Sequence, residues 1–347
     1  MRNVFKLQSY FYDLPESLIA QYPLQKRDQA RLMVVNRNLN SITHSSFGEL
    51  QRHLPAQTSF VVNNSKVIPA RLLGIKADTK GQVELFLLKP LEDGYSFEAL
   101  LKPLKKIKVG QILDFGQGLA AQLINKEQRI VRFNDSTGSL LNHKNLLKLL
   151  QKNGHIPLPP YIKREDELSD RLNYQTVYAK KLGSVAAPTA GLHFTKPLIK
   201  SLNKQGHQFL NLTLHVGYGT FKPVESVDIR THQMHEESFE VSEDVYQKIL
   251  KSKKEHRPIC AVGTTSCRVL ETLAIEKKLK GTTNLFVFPG FSFRMADCLV
   301  TNFHLPYSSL LMLVCAFGGY DLIVKAYQEA IKEKYRFYSY GDAMLII

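Results

Sequence analysis

Among the eleven histidines of this sequence, His193, His215 and His304 are the ones set in small, polar loop and strand-end stretches, where a side chain could move protons near neutral pH. An unperturbed imidazole titrates in that range. Each lies among small or polar residues. His193 follows Ser184-Val185-Ala186-Ala187-Pro188-Thr189-Ala190-Gly191-Leu192, and His215 precedes Gly217-Tyr218-Gly219-Thr220-Phe221. His304 belongs to Asn302-Phe303-His304-Leu305-Pro306. Thr189, Thr220 and Asn302 add hydroxyl and amide groups to these stretches, and Gly263-Thr264-Thr265-Ser266 adds two more threonines. Small walls with a few convergent polar groups are what a small-molecule pocket needs. Each residue alone has a plainer reading. A histidine at a strand end is often a satisfied structural group, and Thr264 or Thr265 can simply cap a helix. Arg268 and Glu271 read equally well as a solvated helical pair. The shared position of the polar groups is what points to a site.

Elements must bring these loops together. Residues 209–216 alternate, with Leu210, Leu212, Leu214 and Val216 on one side and Asn211, Thr213 and His215 on the other. Residues 259–262, 285–288 and 299–301 read as further strands, and 31–35 and 60–63 as earlier ones. The helix after residue 263 turns Val269, Leu270 and Leu273 to a core and leaves Arg268 and Glu271 off it. Residues 320–334 form an amphipathic helix through Leu322, Ile323, Ala326, Tyr327, Ala330 and Ile331. Alternating strands and helices predict an open α/β sheet, which binds ligands at the carboxyl ends of its strands. The polar residues lie at those ends. The 183–195 stretch is the loop that carries His193 to a helix start: Thr195 is the expected N-cap and Pro197 sits in the first turn. The tail, 337–347, reads as a turn and a last strand carrying Asp342.

Between residues 70 and 153 the texture differs. Short β-like runs at 82–88, 95–101, 111–115, 119–124 and 129–133 are separated by turns containing Gly81, Gly94, Gly110, Gly116 and Gly118. Regular short strands with glycine turns predict a small barrel. Residues 140–153 follow as a helix, and Pro157, Pro159 and Pro160 make the return segment stiff. The expected fold is a mixed-sheet α/β domain with an inserted small β-barrel domain. Residues 1–69 and 154–347 form the discontinuous catalytic domain, and 70–153 the insert with its trailing helix.

The formal net charge is +15 over 347 residues, which favours a polyanionic partner. Basic residues cluster at 102–108, 251–257 and 277–280. The longest apolar run, 310–317, is far short of the ~18 residues of a membrane span. The N-terminus has no signal-peptide pattern, so a soluble cytoplasmic protein with no membrane partner is expected. Cys260, Cys267, Cys298 and Cys315 form no C-x-x-C pair and read as reduced core thiols. His232-Gln233-Met234-His235 is too little for a metal centre, and no metal is expected. No G-x-G-x-x-G follows a strand, and Gly263-Thr264-Thr265-Ser266 lacks the Gly-Lys of a P-loop.

Along the whole chain these motifs resemble one family. Asp13-Leu14-Pro15 and residues 19–23, 67–71, 154–166, 174–179, 183–195, 214–223, 262–266, 301–306 and 338–345 are similar, in order, to motifs of the S-adenosylmethionine:tRNA ribosyltransferase-isomerase family of queuosine biosynthesis. Tyr218 stands where that family has alanine, and Asn64-Ser65-Lys66 where it has Asp-Thr-Arg. The resemblance implies transfer and isomerisation of the ribosyl moiety of S-adenosylmethionine onto 7-aminomethyl-7-deazaguanine at the tRNA wobble position. The products would be epoxyqueuosine-tRNA, adenine and methionine. It implies S-adenosylmethionine as co-substrate, no permanently bound cofactor, and tRNA as partner; a monomer is expected. His193, His215, His304 and Asp342 become the catalytic candidates, with acid and base unassigned. Thr189, Thr220, Thr264, Thr265, Arg268 and Asn302 become substrate contacts, and Tyr218 or Phe221 would stack on the sulfonium. Two other readings stand beside this one. A non-catalytic basic RNA-binding protein accounts for the charge but not for the polar strand ends. A methyltransferase acting on RNA lacks its glycine fingerprint here.

Overall fold

The computed structural model describes residues 3–347, with the backbone but not the side chains of Tyr218 and Phe221. Nine strands form one mixed sheet in the order Lys280–Thr283, Glu237–Glu240, Gln208–Leu214, Ser59–Asn63, Ile259–Val262, Cys298–Asn302, Ala343–Ile346, Arg31–Asn36 and Ser41–Ser46. The run from Gln208–Leu214 to Cys298–Asn302 is parallel. Near-continuous apolar strands such as Ser59–Asn63 are the kind that parallel sheets bury on both faces. Alternate side chains accordingly enter two cores. Val61, Leu210, Leu212, Ile259 and Leu299 face one; Phe60, Val62, Cys260, Val262 and Val300 face the other.

Register decides what reaches the carboxyl edge. Ala343 lies opposite Asn302 in an antiparallel pair, so Asp342 arrives at the edge where Cys298–Asn302 ends. Phe239 lies opposite Leu214, also antiparallel, so Glu237 overshoots the end of Gln208–Leu214. Gly263 has φ +87°, a conformation open to glycine. It turns the chain directly from Ile259–Val262 into the Thr264–Glu276 helix.

A second sheet is antiparallel: Arg71–Lys76, Gln82–Pro90, Ser96–Lys102, Ile112–Asp114, Ala120–Asn125 and Ile130–Asn134. Each strand has two neighbours and the order closes on itself. Its interior is separate, with Leu72, Leu85, Ala99, Leu113, Leu123 and Phe133 in contact with Leu146 and Leu150 of the His143–Asn153 helix. Among the described residues no single helix is long and apolar enough to cross a membrane.

Several elements differ from the sequence reading. Residues 285–288 are not a strand; Lys280–Thr283 is. The Leu285 N–H donates to Thr283 Oγ1 and its carbonyl accepts from Arg268 Nε. Side chains thus satisfy this backbone where a ladder was expected. Ser41–Ser46 has no hydrophobic alternation to announce it, yet it pairs along the whole of Arg31–Asn36. Arg268 and Glu271 are not a solvated pair. They are 3% and 0% exposed, and each is partnered elsewhere. Glu271 accepts the N–H groups of Arg294, Met295 and Ala296, closing the irregular segment that precedes Cys298–Asn302. Glu271→Ala leaves these buried donors without an acceptor. It should lower unfolding stability by more than about 3 kcal/mol, read as a fall in the urea midpoint.

Candidate active site

The carboxyl edge of the parallel strands encloses a cavity of about 240 Å³. Ala186, Ala187 and Ala190 form a wall of small residues, and Thr189, Thr264, Thr265, Asn302 and His304 supply polar groups. The 183–195 stretch takes this path because Ser184 Oγ holds it. The hydroxyl donates to the Ala186 carbonyl at 2.8 Å and accepts the Val216 N–H at 2.9 Å. Beyond it Thr195 caps the Lys196–Lys204 helix, accepting the Leu198 N–H. The Thr265 hydroxyl is buried with no hydrogen-bond partner among the described residues, so it is a free donor and acceptor in the cavity wall.

Asn302 connects the cavity to what lies behind it. Its Oδ1 accepts from Thr189 Oγ1 at 2.9 Å. Its Nδ2 faces the Asp342 carbonyl at 3.4 Å and His193 Nε2 at 3.0 Å. A carbonyl only accepts, so this end of the amide donates, and His193 Nε2 is an acceptor. The imidazole therefore carries its proton on Nδ1 and is neutral. His193 is 4% exposed and lies against Phe47; burial pulls its pKa down to about 4. It does not line the cavity.

His304 does line it. Its Nε2 is 2.7 Å from Thr301 Oγ1, and its backbone N–H donates to the Tyr327 hydroxyl at 2.9 Å. The Tyr12 hydroxyl donates to its carbonyl. Burial lowers the His304 pKa to about 3, so this ring too is neutral. His193 and His304, 111 positions apart in the sequence, are thus not in one cavity wall: His304 lines it, and His193 lies behind it, hydrogen-bonded to the lining Asn302.

His215 lines a different space, a cleft of about 740 Å³ between the two sheets. The cleft shares Val216 and Lys222 with the smaller cavity and is walled on the far side by Leu87, Phe97, His143 and Leu146. A Cβ on Gly183, whose φ is +137°, would fall 2.9 Å from His215 Cε1, so glycine is what lets the ring pack there. His215 Nδ1 is buried without a partner among the described residues. Burial lowers its pKa.

Of the other expected site residues, Arg268 and Thr220 line the cavity and Asp342 does not. Asp342 is 2% exposed and does not line the cavity. Its oxygens accept the N–H groups of Arg31 at 2.9 Å and Arg336 at 2.8 Å. It ties the first residue of one strand to the turn before another, each oxygen accepting one backbone N–H. Arg268 lines the cavity, and three of its five N–H donors go to Glu237 and to the Leu285 and Thr283 carbonyls. Thr220 lines the cavity and bonds Glu237 at 3.4 Å. The side chains of Tyr218 and Phe221 lie outside the described residues. Sequence reasoning did not single out Glu237, because a lone acidic residue in a short strand carries no signal. Tyr338 lines the cavity with φ +69°, in the left-handed region.

The His193 environment sets a pH dependence. Its folded pKa of about 4 lies below the unfolded value of 6.5. Between these values the unfolded chain takes a proton that the folded chain refuses. Stability is therefore lost as pH falls through that window, by about 3 kcal/mol in all. His193→Gln keeps an acceptor for Asn302 and removes the titration. Urea unfolding at about pH 7 and about pH 4.5 should show a loss smaller in the variant than in the unaltered chain by about 2 kcal/mol.

The geometry can be set against known proteins. A family model described as queuosine biosynthesis protein matches residues 7–346. The chain is 47% identical over 344 residues to the S-adenosylmethionine:tRNA ribosyltransferase-isomerase of Sulfurihydrogenibium sp., covering 99% of this chain and 100% of the other. It is 48% identical over 349 residues to the enzyme of that name from Natranaerobius thermophilus, covering 98% and 99%. The crystal structure of S-adenosylmethionine tRNA ribosyltransferase from Thermotoga maritima, 36% identical, aligns over 98% of this chain and 100% of that one with a TM-score of 0.56. Matched from end to end in sequence and in fold, this chain belongs to the queuosine biosynthesis family of S-adenosylmethionine:tRNA ribosyltransferase-isomerases.

Proposed function

We propose that this chain transfers and isomerises the ribosyl moiety of S-adenosylmethionine onto 7-aminomethyl-7-deazaguanine at the wobble position of tRNA, releasing adenine and methionine. The observation that carries this is near-full-length identity to chains bearing that name. The cavity at the strand ends supports S-adenosylmethionine as its occupant, since small walls and unengaged hydroxyls suit a nucleoside. The larger cleft adjoins it and suits the splayed wobble nucleotide, because tRNA loops present unstacked bases without a duplex to open. The net charge of +15 supports a tRNA partner. A cytoplasmic, monomeric enzyme is the reading that goes with these substrates.

The reaction needs little from the protein but exact placement of a few groups. A sulfonium acidifies the protons of the ribose carbon attached to it. Loss of one lets adenine leave as the ring opens. The amine of the modified base then attacks, and departure of methionine closes the epoxide. Neutral imidazoles are the form that accepts protons. His304 in the cavity and His215 in the cleft are our acid–base candidates. Thr189, Thr264, Thr265 and Asn302 are our contacts to the nucleoside, with Tyr218 or Phe221 against the sulfonium. In this reading His193 positions Asn302, and Asp342 holds the edge together; neither touches substrate. Residues 70–153 are read as an inserted barrel domain, and 1–69 with 154–347 as the catalytic domain. The separate interior of the six-stranded sheet supports that division.

Two samples of S-adenosylmethionine test the reaction. Ribose label should enter tRNA, and methyl label should leave in free methionine, with adenine released in equal amount. Methyl label in tRNA with S-adenosylhomocysteine as co-product overturns the proposal. Binding of tRNA should weaken steeply with salt, log K falling about 0.7 per log unit of salt for each single-strand phosphate contact. Filter binding over a salt series reads that slope, and a flat line removes the electrostatic part.

A further inference from the structure

Glu237 stands between the cavity and the cleft. Its side chain is 5% exposed. One oxygen accepts the Gly217 N–H at 2.9 Å and the Thr220 hydroxyl at 3.4 Å. The other pairs with Arg268 Nη1. Arg268 is itself in the cavity wall, and the only other charged residue lining that wall, among the described residues, is Lys222. The cavity thus presents cations and no carboxylate of its own. S-adenosylmethionine carries a sulfonium, and two like charges inside a low-dielectric wall repel strongly.

We propose that Glu237 is a positioning residue of the S-adenosylmethionine site: it cancels the charge of Arg268 at the cavity wall, which lets a sulfonium enter, while holding the 217–221 loop at the cavity mouth. The proposal rests on the placement of S-adenosylmethionine given above. The loop needs only an oxygen acceptor, whereas the guanidinium needs a full negative charge. A neutral residue of the same shape keeps the first and loses the second.

That difference makes the charge role separable from a merely structural one. S-adenosylhomocysteine has the same nucleoside and amino acid but a neutral sulfur. Equilibrium dialysis of the full chain gives Kd for both ligands. It is run with saturating tRNA that carries guanine at the wobble position, so no turnover occurs. Glu237→Gln keeps an acceptor for Gly217. It should weaken S-adenosylmethionine about tenfold more than S-adenosylhomocysteine. Arg268→Met leaves the carboxylate uncancelled and should shift the ratio the other way. The double variant removes both charges and should return the ratio to within about threefold of the unaltered chain. If Glu237→Gln fails to fold with its unpaired guanidinium, Arg268→Met and the double variant still make the comparison. A ratio unmoved in every folded variant overturns the charge role and leaves the site standing. If the unaltered chain binds neither ligand, the site and the proposal fall together.

Discussion

A buried amide has to place its two donors and one acceptor correctly, and Asn302 does so with groups from two distant parts of the chain. Thr189 satisfies the oxygen, and His193 and the Asp342 carbonyl take the nitrogen. Leaving any of these unmade costs on the order of 1–3 kcal/mol. The arrangement therefore holds the 183–195 loop, the end of Cys298–Asn302 and the start of Ala343–Ile346 in one geometry. The cavity wall follows from it, because Thr189 and Asn302 are both lining residues.

Carboxylates do similar work at both ends of the sheet. Asp342, Glu271 and Glu237 are all buried, and each accepts at least one backbone N–H from irregular backbone that lacks a ladder. Irregular backbone next to a ligand space cannot pair in a sheet, yet its donors still need acceptors when water is excluded. Charged acceptors supply the stronger bonds. Glu237 differs from the other two in also facing a cation at the cavity.

The histidines are sorted by burial. All three are held neutral because desolvation disfavours the imidazolium. Hydrogen bonding then separates them. His193 Nε2 is committed to Asn302, and His304 Nε2 to Thr301, while His215 Nδ1 has no partner among the described residues. They face different spaces: His304 the cavity, His215 the cleft, His193 neither.

Much of the fold was legible in the sequence. The alternation of residues 209–216, the capped helix after Thr195 and the apolar run 259–262 depend on local periodicity and capping, which neighbours in sequence determine. The candidate site was legible as a set of strand-end polar residues, since α/β sheets gather loops at one edge. Which members face the ligand space was not. That Asp342 accepts backbone N–H groups, that Arg268 pairs with Glu237, and that His193 bonds Asn302 all depend on contacts between residues far apart in sequence. Those contacts are set by strand register and burial. The sequence by itself determined the residue types and the edge that collects them. Tertiary structure decided the partners, because a buried polar group is defined by what it is paired with, and those pairs form only when the strands align.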